Sequence, residues 1–386
     1  SPLEASNKLS TIEHTLSKAQ RNYAWGQLAY MAALSHHKNA LTWFDKVPTF
    51  LLTQNQKAWK VRAALRQKKW RDVIKTISAM EKKHESKVTW QFWRGYSLLK
   101  KKEFKKANKI LTNLSAHDNF YGIMSAEILK IKTKQLQPTS LKKPDLRQRI
   151  LRKKGIKRAL LLKEYNLRYQ GSLEWNWTIK DFSDDELLAA ALIANKYNWY
   201  DRAIHTASQI KKQKRSLHLR YPLPFRTIIK KESHRAGIPQ SWLYGLIRQE
   251  SRFIVNTKSP AGARGLMQLM PSTAASVAKR LGVKYSAKQL ASPSINIKYG
   301  GEYLKILYNQ FNHPVLATAA YNAGPSRAKR WQSTSRLASV IYIETIPIYE
   351  TRQYVKKVLH NTMRYSSRLK ESLELGELLL EPVPSK

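Results

Sequence analysis

Three tryptophans recur at one interval near the start of the chain, and this period constrains the fold more than any other feature. Trp25, Trp59 and Trp93 lie 34 residues apart. Other apolar positions keep the same period, namely Tyr30, Ala64 and Leu98, and then Trp43, Ile77 and Leu111. A 34-residue period is typical of paired helices of the tetratricopeptide type, and such pairs stack into a solenoid. We therefore predict a helical-repeat superhelix over residues 1–140.

The next part of the chain, residues 141–220, is predicted to continue the helices and then to act as a linker. A proline- and lysine-containing stretch over 137–144 predicts a loop. Apolar spacing over 186–192 and 200–204 predicts a further helix pair. The basic run over 211–215 marks the boundary that we predict before a second domain.

In that second domain, one acidic residue continues an apolar helical stripe. Pro239 favours a helix start, and Leu243, Leu246 and Ile247 recur at helical spacing up to Glu250. A carboxyl group on the buried side of a helix loses hydration, which favours its neutral form and raises its pKa. A neutral acid near pH 7 can protonate a departing glycosidic oxygen. The alternative is that Glu250 closes the helix as a solvated end residue.

A segment of small residues after this helix predicts a tight turn or hairpin whose backbone is open to a ligand. Residues 259–265 include two glycines and a proline, and Pro271 favours a new helix start. Between them, Met267 and Met270 also fit plain core positions. Gln268 is a lone amide among apolar neighbours and needs hydrogen-bond partners, which an N-acetyl group or a sugar hydroxyl would supply.

Four short motifs occur in order in the second half of the chain. They are Glu-Ser at 250–251, Gly-Leu-Met-Gln at 265–268, Ala-Tyr-Asn-Ala-Gly-Pro at 320–325, and Glu-Thr-Ile-Pro at 344–347 with Glu-Thr-Arg-Gln-Tyr-Val at 350–355. With these motifs the chain resembles the soluble lytic transglycosylases of bacterial cell walls, over about residues 221–366. The resemblance implies a helical superhelix followed by a lysozyme-like α domain that cleaves the bond between N-acetylmuramic acid and N-acetylglucosamine.

The resemblance also implies roles for single residues, with Glu250 as the catalytic acid and base. It places eight others at or beside the glycan groove: Ser251, Met267, Gln268, Met270, Tyr321, Asn322, Glu350 and Tyr354. From the residues alone, the Tyr321 segment also fits a helix end, and Glu350 also fits a surface partner of Arg352. Two positions depart from the family pattern, because Arg264 stands where a small residue is common and Tyr349 precedes the last motif.

The carboxylate inventory gives an argument of its own about the reaction. Residues 221–386 contain no aspartate, whereas ordinary retaining and inverting glycosidases use two carboxylates that flank the scissile bond. If Glu250 works alone, it protonates the leaving oxygen and then takes a proton from the C6 hydroxyl of the substrate, while the N-acetyl oxygen eases the charge at C1. The product would be a 1,6-anhydro sugar. Glu350 is the nearby residue that could instead supply a second carboxylate.

Composition limits the partners and cofactors. The net charge of +44 predicts a polyanionic partner; we expect peptidoglycan with its stem-peptide carboxylates, together with cell-wall proteins. Nucleic acid is not expected, because the periodic tryptophans fit inter-helix core and no recognised nucleic-acid motif occurs. Cysteine is absent and the ten histidines show no metal spacing, so we expect no cofactor and no metal. No apolar stretch is long enough to be transmembrane, and a periplasmic location with any signal peptide already removed is expected.

These inferences combine into one predicted organisation. We expect an all-α protein in which the superhelix is joined to a lysozyme-like catalytic domain over 221–370 and ends in an acidic tail over 371–386. The predicted activity is that of a peptidoglycan lytic transglycosylase, of exo or endo type. The alternatives are a hydrolytic muramidase on the same fold and a non-catalytic, basic helical-repeat protein that binds cell wall or nucleic acid.

Overall fold

The structure is a computed structural model that describes residues 1–131, 141, 144–211, 216–371 and 375–385. These residues are helical almost throughout, with one antiparallel pairing of two short strands, which confirms the predicted all-α class. The chain forms two compact units. The first comprises Ser1–Thr133, Leu307–His360 and Glu374–Lys386, and the second comprises Lys134–Ile306 and Asn361–Leu373.

The N-terminal part of the first unit consists of short helices joined by tight turns. They are α1 (Pro2–Ile12), α2 (Lys18–Leu34), α3 (Ala40–Asp45), α4 (Gln54–Arg66), α5 (Trp70–Ser78), α6 (Lys82–Glu85), α7 (Val88–Lys100), α8 (Phe104–Ser115) and α9 (Phe120–Ile128). Local sequence specifies several helix starts. In α2 and α4, the hydroxyls of Ser17 and Thr53 accept from the third helical amide, and the side chains of Gln20 and Gln56 reach back.

Three helix pairs carry the tryptophan period, which confirms the predicted paired-helix repeat. The pairs are α2–α3, α4–α5 and α7–α8. Trp25, Trp59 and Trp93 are at most 3% exposed and therefore serve as core between helices. Each pair turns through one residue in the left-handed region, namely His36 (φ 60°), Lys68 (φ 56°) and Lys102 (φ 63°).

The second unit contains the middle of the chain. Its helices are α10 (Pro144–Arg152), α11 (Lys154–Glu164), α12 (Arg168–Thr178), α13 (Asp184–Lys196), α14 (Tyr200–Ser208), α15 (Leu217–Arg220), α16 (Arg226–Ala236), α17 (Gln240–Glu250), α18 (Pro271–Arg280) and most of α19 (Pro293–Phe311). The core of α10 to α15 is built on Trp175 and Trp199. The indole of Trp175 donates to Thr206 Oγ1 at 2.9 Å, so its one polar atom is satisfied.

The remaining elements lie mainly in the first unit. They are α20 (Pro314–Ala323), α21 (Pro325–Trp331), α22 (Ser339–Thr345), α23 (Tyr349–Leu369), α24 (Leu375–Leu380) and the paired strands β1 (Leu337–Ala338) and β2 (Pro382–Val383). The unit boundaries fall inside α19 and α23. The acidic tail packs on the body as helix and strand, because Leu379 is fully buried and Ser339 Oγ donates to the Glu381 carbonyl at 2.7 Å.

The predicted linkers can be compared with the structure only in part. Most of the loop predicted over 137–144 and of the basic run over 211–215 lies outside the described residues, although Pro144 itself begins α10. The helix pair predicted over 186–192 and 200–204 is confirmed as α13 and α14. The predicted limits of the four domains stay a prediction, and the two compact units follow other limits.

Candidate active site

Helix α17 presents Glu250 as its last residue. Residues 241–247 of this helix are buried, whereas Arg248, Gln249 and Glu250 are half-buried. Pro239 is the N-cap, so the predicted helix start is one residue early. The carboxyl group of Glu250 thus lies at the edge of the apolar stripe, where it is neither a core residue nor a fully solvated helix end.

Close packing fixes α17 against the C-terminal half of α23. A Cβ atom added at Gly245 would lie 2.4 Å from Thr362 Oγ1 and 2.9 Å from the Thr362 backbone nitrogen. Asn361 Nδ2 donates to the Gly245 carbonyl at 3.3 Å. At the other end of α17, the Ser241 amide donates to Glu371 Oε2 at 3.1 Å. Glycine is therefore required at 245 because no larger residue allows this approach of two backbones.

Arg248 turns into the protein and holds the segment that precedes α16. Its Nε donates to the Arg220 carbonyl at 2.8 Å and its guanidinium donates to Asn361 Oδ1 at 2.8 Å. The guanidinium also lies 4.5 Å from the ring centroid of Tyr221, a cation–π contact. The position of Glu250 is thus fixed by an arginine two residues before it.

A strained turn follows Glu250 directly. Arg252 and Phe253 both lie in the left-handed region, with φ of 48° and 67°, which bulky residues rarely adopt. The hydroxyl of Ser251 holds this turn, since it donates to the Ile247 carbonyl at 3.2 Å and accepts from the Phe253 amide at 3.1 Å. Ser251 is 6% exposed, so the main role of its hydroxyl is to stabilise the turn.

The small-residue segment forms the predicted hairpin. Bridges join Lys258 with Arg264 and Arg264 with Leu269. The buried side chain of Asn296 locks the hairpin to α19, because Oδ1 accepts from the Met267 amide at 2.8 Å and Nδ2 donates to the Arg264 and Leu290 carbonyls, each at 3.0 Å. A Cβ at Gly265 (φ 78°) would lie 2.2 Å from Asn296 Nδ2, so this turn needs glycine for both its dihedral angle and its space.

The predicted ligand residues of this hairpin differ in exposure. Met267 is fully buried, and its sulfur would lie 2.3 Å from a Cβ added at Gly300, so its contacts are those of packing. Gln268, half-buried with φ of 47°, donates through Nε2 to the Gly265 carbonyl at 2.8 Å and the Thr257 carbonyl at 3.3 Å. Backbone carbonyls thus accept the hydrogen bonds of the Gln268 amide nitrogen, for which we had expected a sugar as the partner. Met270 is 40% exposed at the N-cap of α18.

The other four predicted groove residues lie in the first unit. Tyr321 and Asn322 are half-buried in the last turn of α20, which ends before Gly324 (φ 87°). Glu350 is exposed in the first turn of α23, and Tyr354 is 5% exposed one turn later. Arg352 donates to the Ile346 carbonyl, and no ion pair joins it to Glu350 among the described residues. The alternative interpretation of Glu350 and Arg352 as a surface charge pair is therefore wrong, because Arg352 is buried.

Glu344, which precedes this segment, is the most buried carboxylate among the described residues of the first unit, at 0% exposure. Arg62 of α4 donates to Oε1 through Nε and NH2 at 3.0 and 2.8 Å. Lys356 Nζ donates to Oε2 at 2.5 Å, and the hydroxyl of Tyr121 also donates to Oε2. We call Glu344, Arg62, Lys356 and Tyr121, with the nearby Arg352, the Glu344 cluster. It fixes the connection between α22 and α23, and so the first turn of α23 that carries Glu350.

The pKa values in the Glu344 cluster follow from burial and from opposed charges. Burial alone would raise the pKa of Glu344, but Lys356, Arg62 and Arg352 together hold it far below its usual range. Burial lowers the pKa of Lys356 to about 8, even though Glu344 opposes this shift. Burial, and then Arg62, lower the pKa of Arg352 to about 10. Glu344 is therefore ionised in the folded protein and serves as a structural anion.

Several residues that build the site carried little signal in the sequence. Asn296 and Arg248 looked like ordinary helix residues, and Glu344 appeared only as part of a motif. A polar residue at an otherwise apolar helical position would have pointed to Asn296. For Glu344 there was no such signal, because its main partner Arg62 lies 282 residues away along the chain.

Comparison with known families gives two matches along the chain. Residues 227–340 match the Transglycosylase SLT domain, and residues 149–212 match the Soluble lytic murein transglycosylase L domain. The first match includes Glu250 and the hairpin, and the second includes α11 to α14. No helix in the described part of the chain is long and apolar enough to cross a membrane.

Known proteins resemble the chain over most of its length. The soluble lytic murein transglycosylase of Escherichia coli K12 is 32% identical over 305 residues, which cover 78% of this chain and 47% of that protein. The chain thus spans about half the length of the curated relatives it matches.

Two solved structures show the same relationship. The lytic transglycosylase Slt of Pseudomonas aeruginosa, solved as an inactive mutant, has a TM-score of 0.86 and 28% identity, covering 99% of this chain and 64% of that one. The 70 kDa soluble lytic transglycosylase of Escherichia coli has a TM-score of 0.81 and 26% identity, covering 98% and 62%. Together with both domain matches, these findings show that the chain is similar to soluble lytic transglycosylases over most of its length.

Proposed function

We propose that this protein is a peptidoglycan lytic transglycosylase that cleaves the β-1,4 bond between N-acetylmuramic acid and N-acetylglucosamine without water. Glu250 is the single catalytic acid and base. The observation that carries the proposal is the state of the other carboxylates between 221 and 371. Glu232 and Glu302 are buried and both bind Arg235, at 2.6 and 2.8 Å.

The remaining carboxylates of this region also have structural tasks, with one exception. Glu344 is neutralised by Arg62 and Lys356, and Glu371 accepts from the Ser241 amide. Among the carboxylates in the described residues of this region, only that of Glu350 is exposed. Because a two-carboxylate mechanism needs a second acid or nucleophile beside the bond, these assignments favour a mechanism in which the substrate supplies the second group.

The proposed reaction transfers two protons through the one carboxyl group of Glu250. The neutral carboxyl group of Glu250 protonates the glycosidic oxygen as the bond from that oxygen to C1 of the muramic acid breaks. The N-acetyl oxygen eases the positive charge at C1. The Glu250 carboxylate then accepts the proton of the C6 hydroxyl while O6 bonds to C1, which closes a 1,6-anhydro ring and restores the acid. The C-terminal end of α17, where Glu250 lies, carries a partial negative charge that favours the neutral acid.

The other predicted residues are proposed to hold the glycan. Gln268 has its amide nitrogen fixed by two carbonyls, and its side-chain oxygen is proposed to accept from a sugar hydroxyl or an amide. Met270 offers an exposed thioether surface. Ser251 and Met267, which are buried, are proposed to support the segments that carry Glu250, Gln268 and Met270. In the first unit, Tyr321, Asn322, Glu350 and Tyr354 are proposed to contact saccharide.

The relatives support this proposal in two ways. The relatives whose names were given above are called lytic or lytic murein transglycosylases, and one solved relative is described as an inactive mutant in which glutamate is replaced by glutamine. The loss of activity in that mutant agrees with one essential glutamate in that enzyme. We further propose a periplasmic location, peptidoglycan strands as the substrate and cell-wall proteins as further partners.

The mass of the products tests the proposal. Wild-type protein incubated with purified sacculi should release muropeptides with 1,6-anhydromuramoyl ends, which are lighter by one water than reducing ends. Glu250→Gln should lose at least about 10²- to 10⁴-fold in rate and keep the thermal unfolding midpoint of the wild type, with Glu350→Gln much less affected. Reducing ends as the main product would instead establish a hydrolytic muramidase, with Glu350 as the candidate second carboxylate.

A further inference from the structure

The three helix pairs that carry the tryptophan period reverse through turns with the same backbone. After α2, α4 and α7 the chain passes through one left-handed residue, namely His36, Lys68 and Lys102. In each turn the next amide donates to the carbonyl five residues before it, at 2.8 or 2.9 Å, as in the Schellman motif at helix ends. The pairs α11–α12 and α13–α14 of the second unit have the same hydrogen bond, at 2.8 Å, so the five turns can be compared residue by residue.

The left-handed residue of these turns differs between the two units. In the second unit it is Asn166 and Asn198, and in the first it is His36, Lys68 and Lys102, of which the two lysines are exposed. Glycine and asparagine adopt this conformation readily, whereas lysine has no local hydrogen bond that offsets the steric cost. The backbone therefore does not explain the two lysines, and their charged side chains are the remaining reason for their presence.

The three turns of the first unit lie side by side. Gln67 Nε2 donates to the Lys38 carbonyl at 2.8 Å, which joins the first turn to the second. Lys101 and residues 68–72 line one depression of about 460 Å³, which joins the second turn to the third. The turns therefore form one continuous edge of the repeats, which we call the turn edge: residues 36–38, 68–72 and 101–106.

Positive charge is concentrated on the turn edge. Its second and third turns contain seven lysines and arginines against only Asp72 and Glu103. Glu103 pairs with Lys101 at 2.6 Å and with Lys106 at 3.0 Å. In the part of the chain that the structure describes, no ion pair involves the other five cations, which are Lys68, Lys69, Arg71, Lys102 and Lys105.

The opposite ends of the same helix pairs lack this excess of positive charge. The connections at those ends, residues 46–53, 79–87 and 116–119, together contain four lysines and three acidic residues. Lysines that served only to hydrate the repeats would be expected at both ends. The asymmetry indicates that the turn edge faces an anionic partner.

The composition of the turn edge indicates which anionic partner it fits. In its second and third turns, six of the seven cations are lysine. Lysine presents a compact charge that suits phosphate, whereas bidentate recognition of carboxylates favours arginine. Phe104 is 55% exposed among these lysines, although it continues the stripe of the buried Ala107 and Leu111. Lysines around an exposed aromatic residue are typical of segments that bind at a membrane surface.

We propose that the turn edge binds the surface of a lipid bilayer that contains anionic phospholipids, with its lysines on the headgroup phosphates and Phe104 inserted between headgroups. A row of turns brings all of its lysines against a flat surface at once, whereas a linear phosphate polymer would have no use for Phe104. The proposal does not depend on the proposed function, because the turn edge lies in the N-terminal repeats and contains none of the residues assigned to catalysis or to the glycan.

The first experiment measures the partition of the full chain between buffer and lipid vesicles by co-flotation. Vesicles of equimolar phosphatidylglycerol and phosphatidylcholine should bind the protein at least about tenfold more tightly than vesicles of phosphatidylcholine alone. Binding should weaken as salt rises from about 0.1 M to about 1 M, because the Debye length falls from about 10 Å to about 3 Å. Equal partition into the two kinds of vesicle, or binding to neither, would overturn the proposal.

The decisive variant combines Lys68→Asn with Lys102→Asn, which gives the first unit the residue that the second unit uses in the same turn. The variant removes two charges and eases the backbone, so its thermal unfolding midpoint should equal or exceed that of wild type. Its binding to the anionic vesicles should fall at least about tenfold.

The matched control combines Lys82→Asn with Lys83→Asn. It removes the same charge from exposed positions at the opposite ends of the helix pairs, and its binding should stay within about twofold of wild type. An equal loss in both double variants would show attraction by net charge alone, and the turn edge would then not be the binding surface.

A second pair of variants tests the apolar part of the contact. Phe104→Ala should weaken binding to the anionic vesicles about fivefold, because less apolar surface leaves water on binding. The control is Phe50→Ala, which removes a phenylalanine that is 77% exposed between α3 and α4 and should stay within about twofold of wild type. Wild-type binding by Phe104→Ala would mean that the edge contacts phosphate alone, which contradicts insertion into a bilayer.

Competition separates the bilayer from other polyanions. Double-stranded DNA or long-chain polyphosphate, added at a phosphate concentration equal to that of the anionic lipid, should leave the protein on the vesicles. If either polymer displaces it, the turn edge binds phosphate polymers and the bilayer proposal is overturned. Glu250→Gln should bind the vesicles as wild type does. Failure of wild type to cleave sacculi would therefore refute the proposed function and leave the result on vesicles unaffected.

Discussion

Two segments that carry predicted site residues are held in place by different means. The turn and hairpin between Glu250 and Met270 are held by neutral hydrogen bonds from Ser251, Gln268 and Asn296 to nearby backbone. The segment from Glu344 to Glu350 is held by buried charges, above all Arg62 and Lys356. The first segment depends on residues at most about 30 positions away, and the second depends also on Arg62 and Tyr121 of the N-terminal helices.

The difference matters for how each segment fails. Neutral hydrogen bonds contribute about 0.5–1.5 kcal/mol each, so the hairpin should weaken in small steps. A buried ion pair adds little net stability when intact, but removal of one partner leaves an uncompensated buried charge. We therefore expect the Glu344 segment to tolerate almost no single change. The repeats thus contribute directly to the geometry of α22 and α23.

The largest effect is expected for Glu344→Gln. This variant leaves Arg62, Arg352 and Lys356 buried without their anion, and we expect a loss of about 3–5 kcal/mol in the free energy of unfolding. Urea denaturation followed by circular dichroism measures it. The control is Glu350→Gln, the same substitution six residues later at an exposed position, which should stay within about 0.5 kcal/mol of wild type. Equal effects would remove the contrast between the two segments.

A smaller loss is expected for Asn296→Ala. It deletes three hydrogen bonds and leaves the buried Met267 amide without its acceptor, so we expect about 2–3 kcal/mol by the same denaturation measurement. Asn309→Ala on the same helix, at an exposed position, should have little effect. If Asn296→Ala were as costly as Glu344→Gln, neutral and charged anchoring would not differ as proposed.

The smallest effect is expected in alkaline solution and concerns Lys356. Its pKa in the folded protein is about 8, below the ordinary 10.5, so between these values the unfolded chain binds a proton that the folded protein has released. Stability contributed by this group therefore rises with pH from about 8 to 10.5. The difference in free energy of unfolding between wild type and Lys356→Met should shift in favour of wild type over this window. A constant difference would mean that Lys356 stays fully protonated when folded.

The sequence was sufficient to predict what short-range physics specifies. The 34-residue period gave the helix pairs, because Trp25, Trp59 and Trp93 are core residues in equivalent positions. Glycines and a proline predicted the hairpin over 259–265, and the apolar stripe predicted helix α17, although it placed Glu250 on the buried side and the structure shows it half-buried. In each case the evidence and the structure lie within a few turns of chain.

The rest depended on contacts that no local pattern contains. The pairing of Arg62 with Glu344 spans 282 residues. The turn that links α22 to α23 is closed by a buried Arg352, for which the sequence offered only Glu350 as an alternative partner. Gln268 looked like a residue that needs a ligand, and its amide nitrogen is satisfied by its own hairpin. The pattern of polar and apolar residues predicts which side chains are exposed, but it does not identify the hydrogen-bond or ion-pair partner of a buried polar side chain.

The Glu344 cluster also restricts how this sequence can change over evolutionary time. A buried set of one carboxylate, two tightly bound cations and a tyrosine hydroxyl can be replaced as a whole by apolar residues of similar volume at little cost. Each single step towards that replacement passes through a chain with an unmatched buried charge. Single substitutions in the cluster should therefore be selected against. Substitutions at Arg62, Tyr121, Glu344 and Lys356 should occur together when they occur at all.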